Sequence, residues 1–237
     1  MVLVLPIQIR YTIDSNSWNE DFNDFNSSKW DFQSYRRDYF GFFYPLKPRI
    51  SISDGILRAY NSSSLFDIDM ALTESKVAIG TWEFDWNFPK GNINCYYYDS
   101  ISLLWTDMTG KYNLAGLTGN MMNYAGYSIL LISEELDEIS WSPGIKLYRW
   151  NEKNEGPMEY YLGSAIFNNH NLSTYHFEIT RDYSGLFTIH VENKILIKAE
   201  DNNVTSSEKF SFASFCGNSG IDNISVTNIP SKISFLK

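Results

Sequence analysis

Apolar and polar residues alternate along this chain with a period of two far more often than with the period of a helix. The clearest run is Thr81-Trp82-Glu83-Phe84-Asp85-Trp86-Asn87-Phe88, in which four aromatic rings fall on one side and polar groups on the other. That is the pattern of a half-buried strand. The same reading predicts strands at residues 50–52, 56–60, 95–106, 127–132, 144–150 and 158–166, then at 174–181, 186–191, 195–199, 210–215 and 221–226. Turn chemistry separates them, as in Ser53-Asp54-Gly55, Asp182-Tyr183-Ser184-Gly185, Glu192-Asn193-Lys194 and Gly217-Asn218-Ser219-Gly220, so neighbouring strands should pair antiparallel. Residues 175–199 form the best hairpin. Helical periodicity is confined to residues 133–138, enough for a single turn in a loop. No internal repeat, low-complexity linker or midway shift in composition marks a second domain.

Composition sharpens the picture. Aromatic residues make up 16% of the 237, with seven Trp, sixteen Tyr and sixteen Phe, and so much flat side-chain area suits the space between two sheets. We therefore expect an all-β, two-sheet antiparallel sandwich occupying residues 1–237 as one domain, with 230–237 as a tail or an added edge strand. Sandwiches of this length are routinely single domains.

Charge and cysteine usage exclude several function classes. A formal net charge of −9 and a pI near 4.8 lack the basic footprint of a nucleic-acid binder. Cys95 and Cys216 have no zinc or redox spacing, and they are read either as one disulfide or as two buried thiols. The opening apolar run is too short for a signal core or a membrane span, and no other span occurs. Sequons at Asn26, Asn61, Asn171, Asn203 and Asn223 fit a glycoprotein outside the cell, yet a chain this rich in Asn, Ser and Thr yields about that many by chance. His170, His176 and His190 show no metal-ligand spacing, and no nucleotide or serine-hydrolase motif is present.

Several segments, taken in order, carry a family likeness: Glu20-Asp21-Phe22-Asn23-Asp24 with Trp30, Ile52-Ser53-Asp54-Gly55-Ile56-Leu57 and Gly80-Thr81-Trp82-Glu83-Phe84-Asp85. Tyr175-His176-Phe177-Glu178-Ile179-Thr180-Arg181 and Gly220-Ile221-Asp222-Asn223-Ile224-Ser225-Val226 follow. Together they resemble the concanavalin A-like lectin and glucanase superfamily as found in extracellular prokaryotic proteins. The resemblance implies a jelly roll whose first and last strands lie side by side, bringing Asp21 and Phe22 near residues 221–226. The fold serves lectins, laminin G-like modules, glycanases and capsid or filament subunits, so it does not choose an activity.

Glu83-Phe84-Asp85 is similar to the start of the Glu-x-Asp-x-x-Glu strand signature of family 16 glycoside hydrolases, but Phe88 stands where that family keeps its acid/base. Retaining hydrolysis needs a second carboxyl group about 5 Å from the first. Glu83, Asp85 and Asn87 are then either the ordinary polar face of a strand or groups that hydrogen-bond sugar hydroxyls. Trp105, Asp107, Arg36 and Tyr39 join them as ligand candidates, from the two densest aromatic clusters, because sugar sites combine planar hydrogen-bonding groups with exposed rings. Asp21, Asp24 and Asp222 would converge to hold a structural calcium if the end strands pair. The expected function is a non-catalytic extracellular recognition module, binding a glycan or a neighbouring surface protein through one sandwich face. The rivals are a structural subunit that self-associates in a filament, capsid or surface layer, and a glycoside hydrolase.

Overall fold

The structure, a computed structural model, describes residues 16–37, 43–59, 67–87, 98–107, 124–132, 144–150, 159–166, 174–215 and 219–229. Among the described residues sixteen strands form, the first eight being β1 Trp18–Glu20, β2 Trp30–Arg37, β3 Phe43–Leu46, β4 Ile50–Ser53, β5 Ile56–Ala59, β6 Asp67–Glu74, β7 Gly80–Asn87 and β8 Tyr98–Asp107. The others are β9 Tyr124–Ile132, β10 Gly144–Trp150, β11 Glu159–Ala165, β12 Thr174–Arg181, β13 Leu186–Val191, β14 Lys194–Glu200, β15 Lys209–Phe215 and β16 Gly220–Asn228. They form two eight-stranded antiparallel sheets. The first runs β14-β13-β12-β7-β16-β5-β4, with β1 also on β16, and the second β11-β10-β9-β8-β15-β6-β2-β3.

The core lies between them. Trp82, Phe84 and Trp86 are wholly buried on β7, as the alternation predicts, beside Phe177, Ile179, Phe187 and Ile189 of the same sheet. Phe84 stacks on Phe177 with centroids 5.4 Å apart. Ile101, Tyr127, Ile129, Leu131, Ile145, Leu147, Phe210 and Phe212 close the core from the opposite sheet. Two hairpins turn through a pair of residues with positive φ, Asp54-Gly55 (56° and 71°) and Glu192-Asn193 (49° and 63°), the conformation that matches strand twist.

First and last described strands do pair: Trp18 lies opposite Val226 and Glu20 opposite Ile224. β16 therefore sits inside its sheet, held by β7 on one side and by β5 and then β1 on the other. Its apolar residues change parity midway, with Ile221 odd and Ile224 and Val226 even, yet all three are buried. An extra residue reconciles them. The register against β7 shifts between Asp222 and Ser225, and Asn223 (φ 49°) forms the bulge.

Both sheets carry blunted edges. β3 contains Pro45, β14 carries Lys194, Lys198 and Glu200, and β11 is bulged where Tyr161 and Gly163 oppose Tyr148 and Leu147. Such devices discourage pairing with another chain. Gly163 also lets β11 close on β14, since a Cβ there would stand 3.0 Å from the Ile197 methyl.

One acid is sealed into this core. Asp99 on β8 is fully buried, and neither carboxyl oxygen makes a hydrogen bond of ordinary geometry. Burial raises its pKa from 3.8 to about 6, against the opposing pull of Ser219, Ser214 and the Trp86 indole. A raised folded-state pKa means that the fold loses stability as pH rises through this interval. We expect Asp99→Asn to match the parent protein near pH 4 and to exceed it above pH 7 by up to about 3 kcal/mol. Urea unfolding at both pH values checks this, and equal stability at the higher pH would reassign Asp99 to a well-solvated environment.

Candidate functional site

Glu83 and Asp85 point from β7 to the outer face of the first sheet, because their neighbours Trp82, Phe84 and Trp86 point inward. Cross-strand register surrounds them with polar groups: Asp85 lies opposite His176 and Asp222, and Glu83 opposite Glu178 and Ser225. The Asp85 carboxylate is clasped from both sides. His176 Nδ1 lies 2.8 Å from one oxygen, and Asn223 donates from Nδ2 to the other at 2.7 Å. Asn87 accepts from the Thr174 hydroxyl at 2.8 Å. Asp85 and Asn87 are thus committed to neighbouring side chains, on an open face where the described residues of β7, β12 and β16 set no Trp, Tyr or Phe ring.

Asp21 and Asp222 are brought close enough to interact, as the end-strand pairing implies. Burial raises the Asp222 pKa, and the charges of Asp85 and Asp21 add to that while Arg58 offsets it. Asp24 is exposed on the turn after β1. Among the described residues no group of three or more His, Cys, Asp or Glu side chains is arranged to hold a metal ion.

Arg36 belongs to a different assembly. It makes a two-point contact with the wholly buried Asp67 carboxylate, Nε to Oδ1 at 2.8 Å and Nη2 to Oδ2 at 3.0 Å. Arg49 joins from the approach to β4, with Nη1 2.6 Å from the same Asp67 and Nε 3.2 Å from Asp69. Burial pushes the Asp67 pKa up, but the two guanidinium groups outweigh it and hold it below the usual carboxylate range. Trp105 and Asp107 pair in β8 opposite Gly126 and Tyr124. Tyr39, Asn61, Cys95, Asn171 and Cys216 lie outside the described residues, as do residues 133–138 and 230–237. Asn26 caps a short 3-10 turn, its Oδ1 accepting from Ser28 N at 3.0 Å, while Asn203 donates to Asp201 at 3.1 Å.

A hollow of about 300 Å³ lies instead at the other end of the second sheet, over the paired strands β10 and β11. Gly144, Ile145, Lys146, Tyr161, Ser164, Ala165 and Ile166 line it. Tyr161 is 56% exposed, and its ring is braced edge-on by buried Tyr148 at 5.8 Å. Its hydroxyl donates to Ser164 Oγ. An immobilised ring, a hydroxyl and an ammonium group thus border one hollow, which has the size of a small ligand site. Sequence reading placed this strand but passed over Tyr161. The Tyr160-Tyr161 doublet was the available signal: two adjacent rings on a strand point to opposite faces, and here both stay exposed, Tyr160 at 41% with the Arg149 guanidinium 4.1 Å from its ring centroid and Tyr161 at 56%.

The fold is the concanavalin A-like, galectin-like jelly roll, an architecture shared by sugar-binding domains and glycanases. A Bacillus subtilis protein of unknown function with a galectin-like fold superposes with a TM-score of 0.63 at 9% identity, over 92% of this chain and 98% of its own. The carbohydrate recognition domain of Emp46p, in a potassium-bound form, gives 0.62 at 9% identity, over 91% and 98%. Bacillus licheniformis β-glucanase gives 0.60 at 13% identity, over 91% and 100%. Identities this low establish the fold alone. No protein-family model and no curated protein matches the sequence. Among the described residues no helix is long and apolar enough to cross a membrane.

Proposed function

We propose that this chain is a non-catalytic, extracellular recognition module that binds a glycan in the β10–β11 hollow. The observation that carries this reading is the Tyr161 ring, half exposed yet fixed by Tyr148 and Ser164. A rigid ring offers its face to the C–H side of a pyranose with little ordering cost. Ser164 and Lys146 supply hydrogen bonds to hydroxyls along the rim. Blunted edges on both sheets favour a module acting alone over a subunit that assembles by strand addition. Against hydrolysis, Asp85 is tied to His176 and Asn223, and among the described residues the carboxylate opposite it, Asp222, stands beside it on the same open sheet face and not across a cleft.

Screening on a glycan array, followed by titration of the best oligosaccharide, tests the proposal. Tyr161→Ala should weaken binding about tenfold or more, the range of one lost stacking contact, with an unchanged melting temperature. Undiminished affinity in that variant would remove the hollow from the binding site. Release of reducing ends from any arrayed polysaccharide would replace the module with an enzyme.

A further inference from the structure

We propose a second, separate site on the β2–β3 hairpin, where the Arg36 guanidinium and the Tyr44 ring together accept a pyranose bearing a carboxylate or sulfate group. It does not depend on the β10–β11 hollow, which lies at the opposite edge of the same sheet.

Exposed arginines usually lose much side-chain freedom when they take a ligand, and that entropy is subtracted from affinity. Arg36 has already lost it. Asp67 grips the Nε and Nη2 edge, and Asp67 is itself immobile because its side chain has no exposure and Arg49 holds it from the other side. The Arg36 side chain is nevertheless 53% exposed. A planar guanidinium held along one edge presents its remaining N–H groups outward in a fixed direction, the geometry that recognises an oxyanion at two points.

Register places Tyr44 directly across from Arg36 on β3, and Tyr44 is 52% exposed. Side chains directly opposite on antiparallel strands stand about 5 Å apart at Cβ, so a flat ring and a flat cation share one patch of surface. That spacing matches a sugar ring and the acidic group it carries. Exposed Lys47 follows on the same strand exit. Elsewhere the molecule repels anions, with a net charge of −9, and its first sheet presents Glu83, Asp85, Glu178 and Asp222 outward. At this hairpin Arg36 and Arg49 are balanced by Asp67 and Asp69 and Lys47 adds a further positive group, so the patch lacks the negative excess of the rest of the molecule.

Isothermal titration of the full chain with an oligogalacturonate, a sulfated galacto-oligosaccharide and the uncharged galacto-oligosaccharide tests the site. We expect binding of at least one charged probe, at least tenfold tighter than of the uncharged one and weakening as salt rises. The two charged arms decide between carboxylate and sulfate. Arg36→Lys, which keeps the charge but not the fork, and the surface change Tyr44→Ala should each weaken that binding about tenfold, while Tyr161→Ala leaves it intact. Equal binding of the uncharged probe, no binding of either charged probe, or indifference to Tyr44→Ala would each overturn the site. A response to Tyr161→Ala alone would transfer the ligand to the hollow and overturn it as well.

Discussion

Replacing Trp82 by alanine should destabilise the fold by about 3 to 5 kcal/mol, the cost of emptying a large buried site. Trp82 has no solvent exposure and stands opposite both Ile179 and Val226, at the point where β12, β7 and β16 meet. Neighbours fixed in three hydrogen-bonded strands cannot collapse into the gap. Trp82→Phe should cost far less, under about 1.5 kcal/mol. The Trp82 indole nitrogen is buried without a hydrogen-bond acceptor among the described residues, so phenylalanine removes an unsatisfied donor along with the lost volume. Urea unfolding of both variants checks the pair. Near-equal costs would mean that ring volume is not what Trp82 supplies, and a small cost for alanine would turn β7 inside out.

Asp201→Ala should be comparably severe, about 3 to 5 kcal/mol, through a different mechanism. Asp201 accepts from the Tyr127 hydroxyl at 2.5 Å and from Arg149 Nη1, and its side chain is only 7% exposed. Removing it strands the Arg149 charge, 10% exposed, whereas the Tyr127 hydroxyl keeps the Asp201 backbone carbonyl at 3.2 Å and Val204 N at 3.1 Å. Nearby Arg181 is also buried, but it is served by the carbonyls of Ala78 and Val204 at 2.7 and 2.8 Å, so it should survive the change. Burial pushes the Asp201 pKa up, but Tyr127, Asn203 and Arg149 more than reverse this and hold it below 3.8. Its contribution is therefore present at neutral pH and lost as pH falls through the lowered value. The difference between parent and Asp201→Ala should shrink in acid. A double cycle with Arg149→Met should show strong coupling, and additive costs would dissolve the proposed pair.

How far the sequence revealed this molecule depended on whether each strand buries one face. β7, β12 and β13 alternate cleanly and bury alternate residues, so they were legible almost to the residue. β6 was not. Its Asp67 and Asp69 are buried in ion pairs, Ala71 enters the main core, and Ile68, Met70 and Leu72 join a second cluster with Tyr35 and Ala213. Burial on both faces erases the period-two signal, and inward carboxylates invert it. β2 was hidden for the same reason, since Ser34 and Arg36 take the positions that follow Trp30 and Phe32, and β3 was hidden by Pro45. Arg36 was selected as a ligand candidate without any sign of its partner Asp67, 31 residues away. Alternation alone set Glu83 and Asp85 on the polar side of a strand and left open whether they bind a ligand, while the clasp of Asp85 by His176 and Asn223 joins residues 91 and 138 positions away, which no local pattern announces.

The interior position of β16 also bears on how the chain comes to be folded. Asn228 N donates to Ser17 Oγ across 211 residues, and until residues 220–228 emerge from the ribosome, β7 faces an empty slot with its ladder groups unpaired. Closures across so much sequence are slow, typically milliseconds to seconds for β-rich domains. A nascent polypeptide waiting at that stage exposes the indoles of β7 beside an open strand edge, a form prone to clumping. Shielding of the growing product until β16 slots home would suppress that clumping.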